Sequence, residues 1–280
     1  MQKFQELKTF LDKRGYADVI DYILEDVGNL CLEGDSGCGK TQLVHDFCES
    51  RKLKLLETSL TADTTRWELV ASDTLKSGTT EVRPGIVMEW LDCDPVKEGY
   101  EGVVMYWDGF NYASPNVTAL LESLADFRGI IRIYEKKQVF KRSPRHYFII
   151  SMNPYEKAGY AGTFQSNIAQ RRRFETIRMD WLDALDETEL LAKRTGVEWE
   201  FARRMTAFAA LTRNAYRNGE LTVPVTTGNL INYCTFFKKG LDEETIINVA
   251  CGLFLSEEEQ KVHSFWGQAE LADTKKKAMK

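Results

Sequence analysis

The stretch Gly34-Asp-Ser-Gly-Cys-Gly-Lys-Thr41 decides the fold of this chain. It matches the pattern G-x-x-x-x-G-K-[ST] at every defined position. Glycines let backbone N–H groups turn inward around phosphate oxygens, and the positive end of a following helix faces the same oxygens. The stretch follows a short apolar segment, Asn29–Glu33, and precedes a helical pattern at Gln42–Cys48. We therefore predict a phosphate-binding loop between a strand and a helix.

The side chains of this loop have separate predicted roles. Lys40 is expected to reach the β- and γ-phosphates of a nucleoside triphosphate, and the Thr41 hydroxyl to bind Mg²⁺. Cys38 is interpreted as a small spacer whose backbone contacts phosphate, although a thiol near a helix N-terminus can also have a lowered pKa. The predicted nucleotide-binding set is Gly34, Asp35, Ser36, Gly37, Cys38, Gly39, Lys40, Thr41 and Gln42.

Short apolar strands alternate with helical patterns through the first two thirds of the chain. The predicted strands are Asn29–Glu33, Leu53–Glu57, Gly102–Trp107, Tyr147–Met152 and Thr176–Met179. Such alternation predicts a parallel, three-layer α/β sheet. The first 26 residues read as two short helices, the first with Phe4, Leu7, Phe10 and Leu11 on one face.

After Trp181 the strand signals stop and helical patterns follow one another. We predict an α/β domain over residues 1–183, including the N-terminal helices, and a smaller helical domain over residues 184–268. Residues 269–280 are expected to form a flexible basic tail, since a short lysine-rich terminus is typical of a solvated segment.

Composition excludes several classes of protein. The 280 residues are 43% hydrophobic and 28% charged, which argues against wholesale disorder. The net charge of −5 does not suit a surface that grips nucleic acid throughout. No apolar run is long enough for a transmembrane helix or a signal peptide. The six cysteines form no CxxC pair, so we expect reduced thiols in a cytoplasmic protein without membrane insertion.

Polar residues end two of the predicted strands. Asp108 follows Val103–Trp107 and is expected to hold Mg²⁺ through water, although a turn-forming Asp at a strand end is the alternative. Asn153 is expected to orient water against the γ-phosphate, or else to form the turn before Pro154. In many phosphate-loop ATPases a Glu follows the Asp and polarises the attacking water; here the next residue is Gly109.

Three consecutive arginines precede the fifth strand. Arg171, Arg172 and Arg173 would be a solvated turn in an isolated domain. In a ring, Arg171 and Arg173 could reach the γ-phosphate of a neighbouring subunit as arginine fingers.

Several segments together resemble the MoxR group of AAA+ ATPases, and most of all its CbbQ/NirQ branch, over residues 28–255. The segment 108–117 is similar to that family's D-E-I-N-R-A-P-P-E-V, and residues 169–174 are similar to its R-x-R-F finger segment. The segments 79–84 and 131–139 resemble its two hairpins, and Asn153 matches its sensor 1. Residues 224–230 resemble the lid segment that usually carries S-T-R.

The resemblance implies a chaperone-like ATPase that works with ATP (or ADP) and Mg²⁺. Members form rings, commonly hexamers, and act on a partner protein that is often of the von Willebrand factor A type. Two residues depart from the family pattern: Gly109 replaces the water-activating Glu, and Gly228 replaces the sensor-2 Arg. Arg213 or Arg217, on the preceding helix, is a possible substitute for that Arg.

Three functional hypotheses follow. The first is an ATPase that remodels or activates a partner. The second is a nucleotide-gated scaffold with little or no hydrolysis, which Gly109 and Gly228 favour. The third is a nucleic-acid motor, suggested by a cluster of cations but disfavoured by the acidic net charge. That cluster comprises Lys136, Lys137, Lys141, Arg142 and Arg145.

Overall fold

The computed structural model describes residues 15–76, 79–133, 138–154 and 171–278, and divides the chain into two compact units. The first unit comprises Met1–Asp35 and Lys40–Met179, and the second comprises Ser36–Gly39 and Asp180–Lys280. The chain thus passes into the helical unit a few residues before residue 183, where the sequence placed the boundary. The predicted helix around Phe4 and Phe10 lies outside the described residues.

The first unit is built on a parallel five-stranded sheet, which confirms the predicted α/β fold. Its strands are β1 (Asn29–Gly34), β2 (Leu53–Ser59), β5 (Gly102–Asp108), β8 (His146–Met152) and β9 (Glu175–Met179). They lie in the order β2-β5-β8-β1-β9. The five residues Val103–Trp107 are all buried, because helices cover both faces of a parallel sheet.

Six helices of the described residues belong to the first unit. They are α1 (Tyr16–Asp26), α2 (Lys40–Ser50), α3 (Arg66–Val70), α4 (Ile86–Asp92), α5 (Pro115–Thr118) and α6 (Leu121–Leu124). Residues 117–125 have a continuous helical pattern in the sequence, but the structure divides this region between α5 and α6. Between them, the N–H of Leu120 bonds to the carbonyl of Val117 and that of Ser123 to Leu120, so tighter three-residue turns interrupt the α-helix.

Two antiparallel hairpins lie outside the central sheet. One pairs β3 (Ala71–Lys76) with β4 (Thr79–Pro84), and the other pairs β6 (Ile130–Ile133) with β7 (Gln138–Lys141). They occupy the positions of the two hairpins that the family resemblance implied.

The second unit is helical and has its own apolar core. Its helices are α7 (Ala184–Thr195), α8 (Trp199–Arg217), α9 (Thr227–Lys238), α10 (Glu243–Cys251) and α11 (Glu259–Ala278). Helix α11 continues through most of the segment 269–280, where a flexible tail was expected. Among the described residues, no helix combines the length and the apolar character needed to cross a membrane.

Candidate functional site

The predicted phosphate loop joins the end of β1 to the start of α2. Gly37 and Gly39 have φ values of 73° and 95°, a left-handed backbone that glycine adopts without steric cost. Lys40 is the first residue of α2, so the N-terminal N–H groups of that helix begin where the loop ends. The loop therefore has the backbone that anion binding at a helix N-terminus requires.

Lys40 is buried, with 8% of its surface exposed, and its ammonium group makes three hydrogen bonds. Nζ donates to the carbonyls of Gly34 at 2.7 Å and Asp35 at 3.1 Å. It also donates to Oδ1 of Asn153 at 3.0 Å. The structure thus brings together the loop lysine and the polar residue after β8, which lie far apart in sequence.

Asp108, at the end of β5, contacts the residue predicted to share a metal with it. Oδ2 of Asp108 accepts a hydrogen bond of 3.1 Å from the Thr41 hydroxyl. Its other oxygen, Oδ1, accepts a hydrogen bond from the hydroxyl of Ser151. Oxygen donors of this kind are the ligands that Mg²⁺ prefers, usually as one or two carboxylates together with phosphates and water. The donor set therefore fits Mg²⁺.

Sequence reasoning missed two hydroxyl groups that complete this arrangement, on Ser151 and Tyr106. The Tyr106 hydroxyl lies 3.3 Å from that of Thr41, and burial raises the pKa of Tyr106 well above its usual value. The phenol therefore stays protonated beside Thr41. The sequence spacing could have identified them. Tyr106 and Ser151 each lie two residues before a predicted site residue, and residues i and i+2 lie on the same face of a strand.

Gly109 has a left-handed backbone, with φ 73° and ψ 39°. Its N–H donates to the Ser151 hydroxyl at 3.2 Å. A Cβ atom here would lie 3.1 Å from Cδ2 of Tyr112 and 3.4 Å from the carbonyl oxygen of Leu60. The residue after Asp108 is thus a turn that suits glycine, and it supplies no carboxylate.

Asn153 is held by a buried neighbour. The backbone N–H of Asn153 donates to Oδ1 of Asn111 at 3.3 Å, and Asn111 is almost completely buried. This contact places the amide of Asn153 beside Lys40, at the end of the sheet where the loop lies.

Comparison with known proteins now decides the family. Residues 29–174 match the family described as AAA domain (dynein-related subfamily), and residues 187–266 match the CbbQ/NirQ/NorQ C-terminal family. The first match covers more than half of the chain. The chain belongs to the AAA+ family, in its MoxR/CbbQ branch.

Two curated relatives are uncharacterized proteins of staphylococci. One, from Staphylococcus aureus (strain bovine RF122 / ET3-1), is 30% identical over 155 residues, which are 55% of this chain and 56% of that protein. Another, from Staphylococcus epidermidis, is 28% identical over a stretch of the same length. The aligned part thus spans about half the length of these relatives. The crystal structure of a candidate ATPase from Cytophaga hutchinsonii is similar over 94% of this chain and 93% of that chain, with 17% identity and a TM-score of 0.49.

The candidate finger arginines of this AAA+ protein lie beside the edge strand β9. The carbonyl of Arg173 accepts a hydrogen bond of 3.0 Å from the Asn29 side chain, at the start of β1. The phosphate loop begins at the other end of β1, about 16 Å away at the usual rise of a strand. That distance exceeds the length of an arginine side chain, so Arg173 does not reach the loop of its own chain. Arg171 lines a cavity with Glu33 and Met152.

Within the helical unit, Arg213 is engaged in a buried ion pair. Its guanidinium donates twice to Glu187, at 2.8 Å each, and once to the carbonyl of Val225 at 2.9 Å. Arg217 is more exposed and donates to Asp180 at 2.6 and 2.7 Å. Of these two candidates for the missing sensor-2 charge, Arg213 is thus held by Glu187 and Val225 within its own unit. Gly228 lies in the first turn of α9, which the Thr226 side chain caps.

Proposed function

We propose that this AAA+ protein binds ATP and Mg²⁺ at Gly34–Gln42 and, as a ring oligomer, uses hydrolysis to remodel a partner protein. One observation carries the proposal: Lys40, Thr41, Asp108 and Asn153 converge at one end of the sheet, from α2 and from the ends of β5 and β8. AAA+ proteins of this branch typically form rings and act on partners. A partner of the von Willebrand factor A type and a hexameric ring remain predictions of the resemblance.

Each side chain has a defined part in this proposal. Lys40 supplies a positive charge to the β- and γ-phosphates, and Thr41 and Asp108 would hold Mg²⁺. When bound, the metal neutralises charge on the phosphate oxygens. Asn153 accepts from Lys40 through its amide oxygen, and its NH₂ group donates to the Tyr112 hydroxyl at 3.5 Å, which leaves one N–H to orient a water. Arg171 or Arg173 of a neighbouring subunit would stabilise the charge that develops on the γ-phosphate.

Replacement of Lys40 tests nucleotide binding. Lys40→Ala should weaken Mg²⁺–ATP binding by one to two orders of magnitude, at about 1.5–3 kcal/mol for a hydrogen bond to a charged group. Isothermal titration calorimetry measures the change, and circular dichroism checks the fold. Lys97→Ala is the matched control, because that lysine is 83% exposed and pairs only with Asp94 among the contacts described. Equal ATP affinity in Lys40→Ala and the wild type would exclude this site.

A second candidate function is a nucleotide-gated scaffold that hydrolyses ATP slowly. The observation that favours it is Gly109, whose backbone turns left-handed at the position of the family's catalytic Glu. Without that carboxylate, only Asn153 among the residues assigned here would orient the attacking water.

Gly109→Glu distinguishes the two functions. A positioned general base contributes about 10²- to 10⁴-fold, so the variant should hydrolyse ATP faster if the wild type lacks one. The left-handed backbone costs a non-glycine residue about 1–2 kcal/mol, and the Tyr112 ring must shift by a few tenths of an ångström. Gly109→Ala carries the same backbone strain without a carboxylate and is the matched control. Phosphate release at saturating ATP is the measurement. The contrary result is a wild type that itself hydrolyses ATP rapidly, with neither variant faster than it. In that case the general base lies elsewhere in the protein.

A further inference from the structure

A second cavity of the first unit, ≈ 300 Å³ in volume, lies beside the β6–β7 hairpin and is lined by three arginines. They are Arg66 from the start of α3, Arg128 from the turn after α6, and Arg132 from β6. None of the described residues that line it is an Asp or a Glu. Its volume corresponds to about ten water molecules, at roughly 30 Å³ each, which is room for a few side chains.

The floor of this cavity is apolar. Val87, Leu120, Leu124 and Ile131 line it and belong to the buried core of the first unit. A ligand that fills the cavity therefore needs apolar groups for the floor and negative charge in addition to that of Asp126, which already pairs with Arg128.

The β6–β7 hairpin carries further cationic and aliphatic side chains outside the cavity. Arg132 pairs with Val139 and Ile130 with Lys141, and residues paired in an antiparallel ladder lie on the same face. These four residues are all exposed, whereas Ile131 and Phe140, which pair on the opposite face, pack in or against the core. The outward face of the hairpin thus presents two cations and two aliphatic side chains.

Two exposed aromatic residues adjoin the arginines in sequence. Trp67 follows Arg66 and is 59% exposed, and Phe127 precedes Arg128 and is 95% exposed. Neither residue lines the cavity, so these two aromatic side chains add exposed apolar area next in sequence to its arginines.

We infer that this surface, the arginine cavity together with the outward face of the β6–β7 hairpin, binds a partner-protein segment in which carboxylates alternate with leucine or aromatic side chains. The inference deepens the proposed function, since it specifies the partner that a remodelling AAA+ protein would engage. Guanidinium groups match carboxylates as paired donors, and Asp126 already holds Arg128 in this way, at 2.7 and 3.1 Å.

The apolar composition favours a peptide over a nucleic acid. Single-stranded nucleic acid also uses cations and aromatic platforms, but it needs an open groove that follows successive phosphates. Here an aliphatic floor and the exposed Ile130 and Val139 offer apolar area, which phosphates and sugars cannot use.

Fluorescence anisotropy tests the inference on the full chain without nucleotide. The probe is a short fluorescein-labelled peptide in which Glu pairs alternate with Leu and Phe. Binding to the wild type should weaken about tenfold in Arg132→Ala and in Arg66→Ala. Arg178→Ala is the matched control, because that arginine is 85% exposed and lies on β9, away from the cavity lining.

The remaining arms separate the possible failures. A peptide with Lys in place of Glu should not bind. Lys40→Ala should bind the Glu peptide like the wild type, so loss of nucleotide binding can be distinguished from loss of peptide binding. The inference is wrong if the wild type does not bind the Glu peptide, or if Arg178→Ala weakens it as much as Arg132→Ala. Tighter binding of oligo(dT) than of the Glu peptide, lost in the same variants, would reassign the surface to nucleic acid.

Discussion

Arg173→Ala is expected to abolish ATP hydrolysis in a homogeneous ring and to recover part of it when mixed with Lys40→Ala. Arg173 lies in the turn before β9, and its carbonyl accepts a hydrogen bond from the Asn29 side chain, a strand length from its own phosphate loop. Under the proposed function, its guanidinium therefore serves a neighbouring subunit. An arginine finger contributes about 10³- to 10⁵-fold to phosphoryl transfer, so the loss in the single variant should be large.

The mixture provides the decisive measurement. In a randomly mixed ring, about a quarter of the sites combine an intact Lys40 with an intact Arg173 from the next subunit, and only these should release phosphate. Arg172→Ala is the control, since it removes an exposed arginine from the same turn. Arg171→Ala, treated in the same way, shows whether the neighbouring arginine shares the role. Mixtures that show only the summed rates of the two variants would exclude a contribution across the interface.

The sequence predicted those parts of the site that depend on local pattern. The spacing of the loop glycines and Lys40 requires no knowledge of distant contacts. Asp108 and Asn153 were found because each follows an apolar strand, and parallel strands end at the same edge of the sheet. The bounds of the five strands were predicted within about two residues. The three central strands, β1, β5 and β8, are mostly buried and are marked in the sequence by near-continuous apolar runs.

The parts that the sequence did not predict depend on pairing between segments. Ser151 contacts Asp108 because β5 and β8 align Trp107 with Ile150, which brings the next residue of each strand together. That register cannot be read from either strand alone. The engagement of Arg213 by Glu187 likewise joins α8 to α7, and it is invisible in the spacing that suggested Arg213 as a sensor-2 substitute.

The turn at Gly109 shows a different limit. The sequence showed that the residue after Asp108 has no carboxylate, but it did not show the backbone conformation at that position. The structure adds a backbone reason, since the left-handed conformation and the contact with Tyr112 both favour glycine. The departure from the family pattern is therefore part of the local fold, and a substitution there changes the turn together with the chemistry.

Glu187→Gln is expected to destabilise the helical unit by about 3–5 kcal/mol, because it leaves the buried Arg213 without its charged partner. Glu187 is completely buried and Arg213 is 6% exposed. The carboxylate also accepts a 2.6 Å hydrogen bond from the Thr227 hydroxyl, so it joins α7, α8 and α9. Urea unfolding followed by circular dichroism measures the loss. Lys193→Ala is the matched control, since its surface pair with Glu189 should contribute less than about 1 kcal/mol.

The double variant Glu187→Leu/Arg213→Met separates a structural role of the pair from a role in nucleotide binding. Replacing a buried ion pair by apolar residues of similar volume is often neutral or stabilising, so the double variant should be more stable than Glu187→Gln. The coupling energy from the full cycle of single and double variants then measures the pair itself. If Arg213 acts only within the helical unit, the double variant should also bind Mg²⁺–ATP like the wild type. A double variant that folds normally but loses ATP affinity would instead assign Arg213 to the nucleotide, and the ion pair seen here would be one state of a residue that exchanges partners.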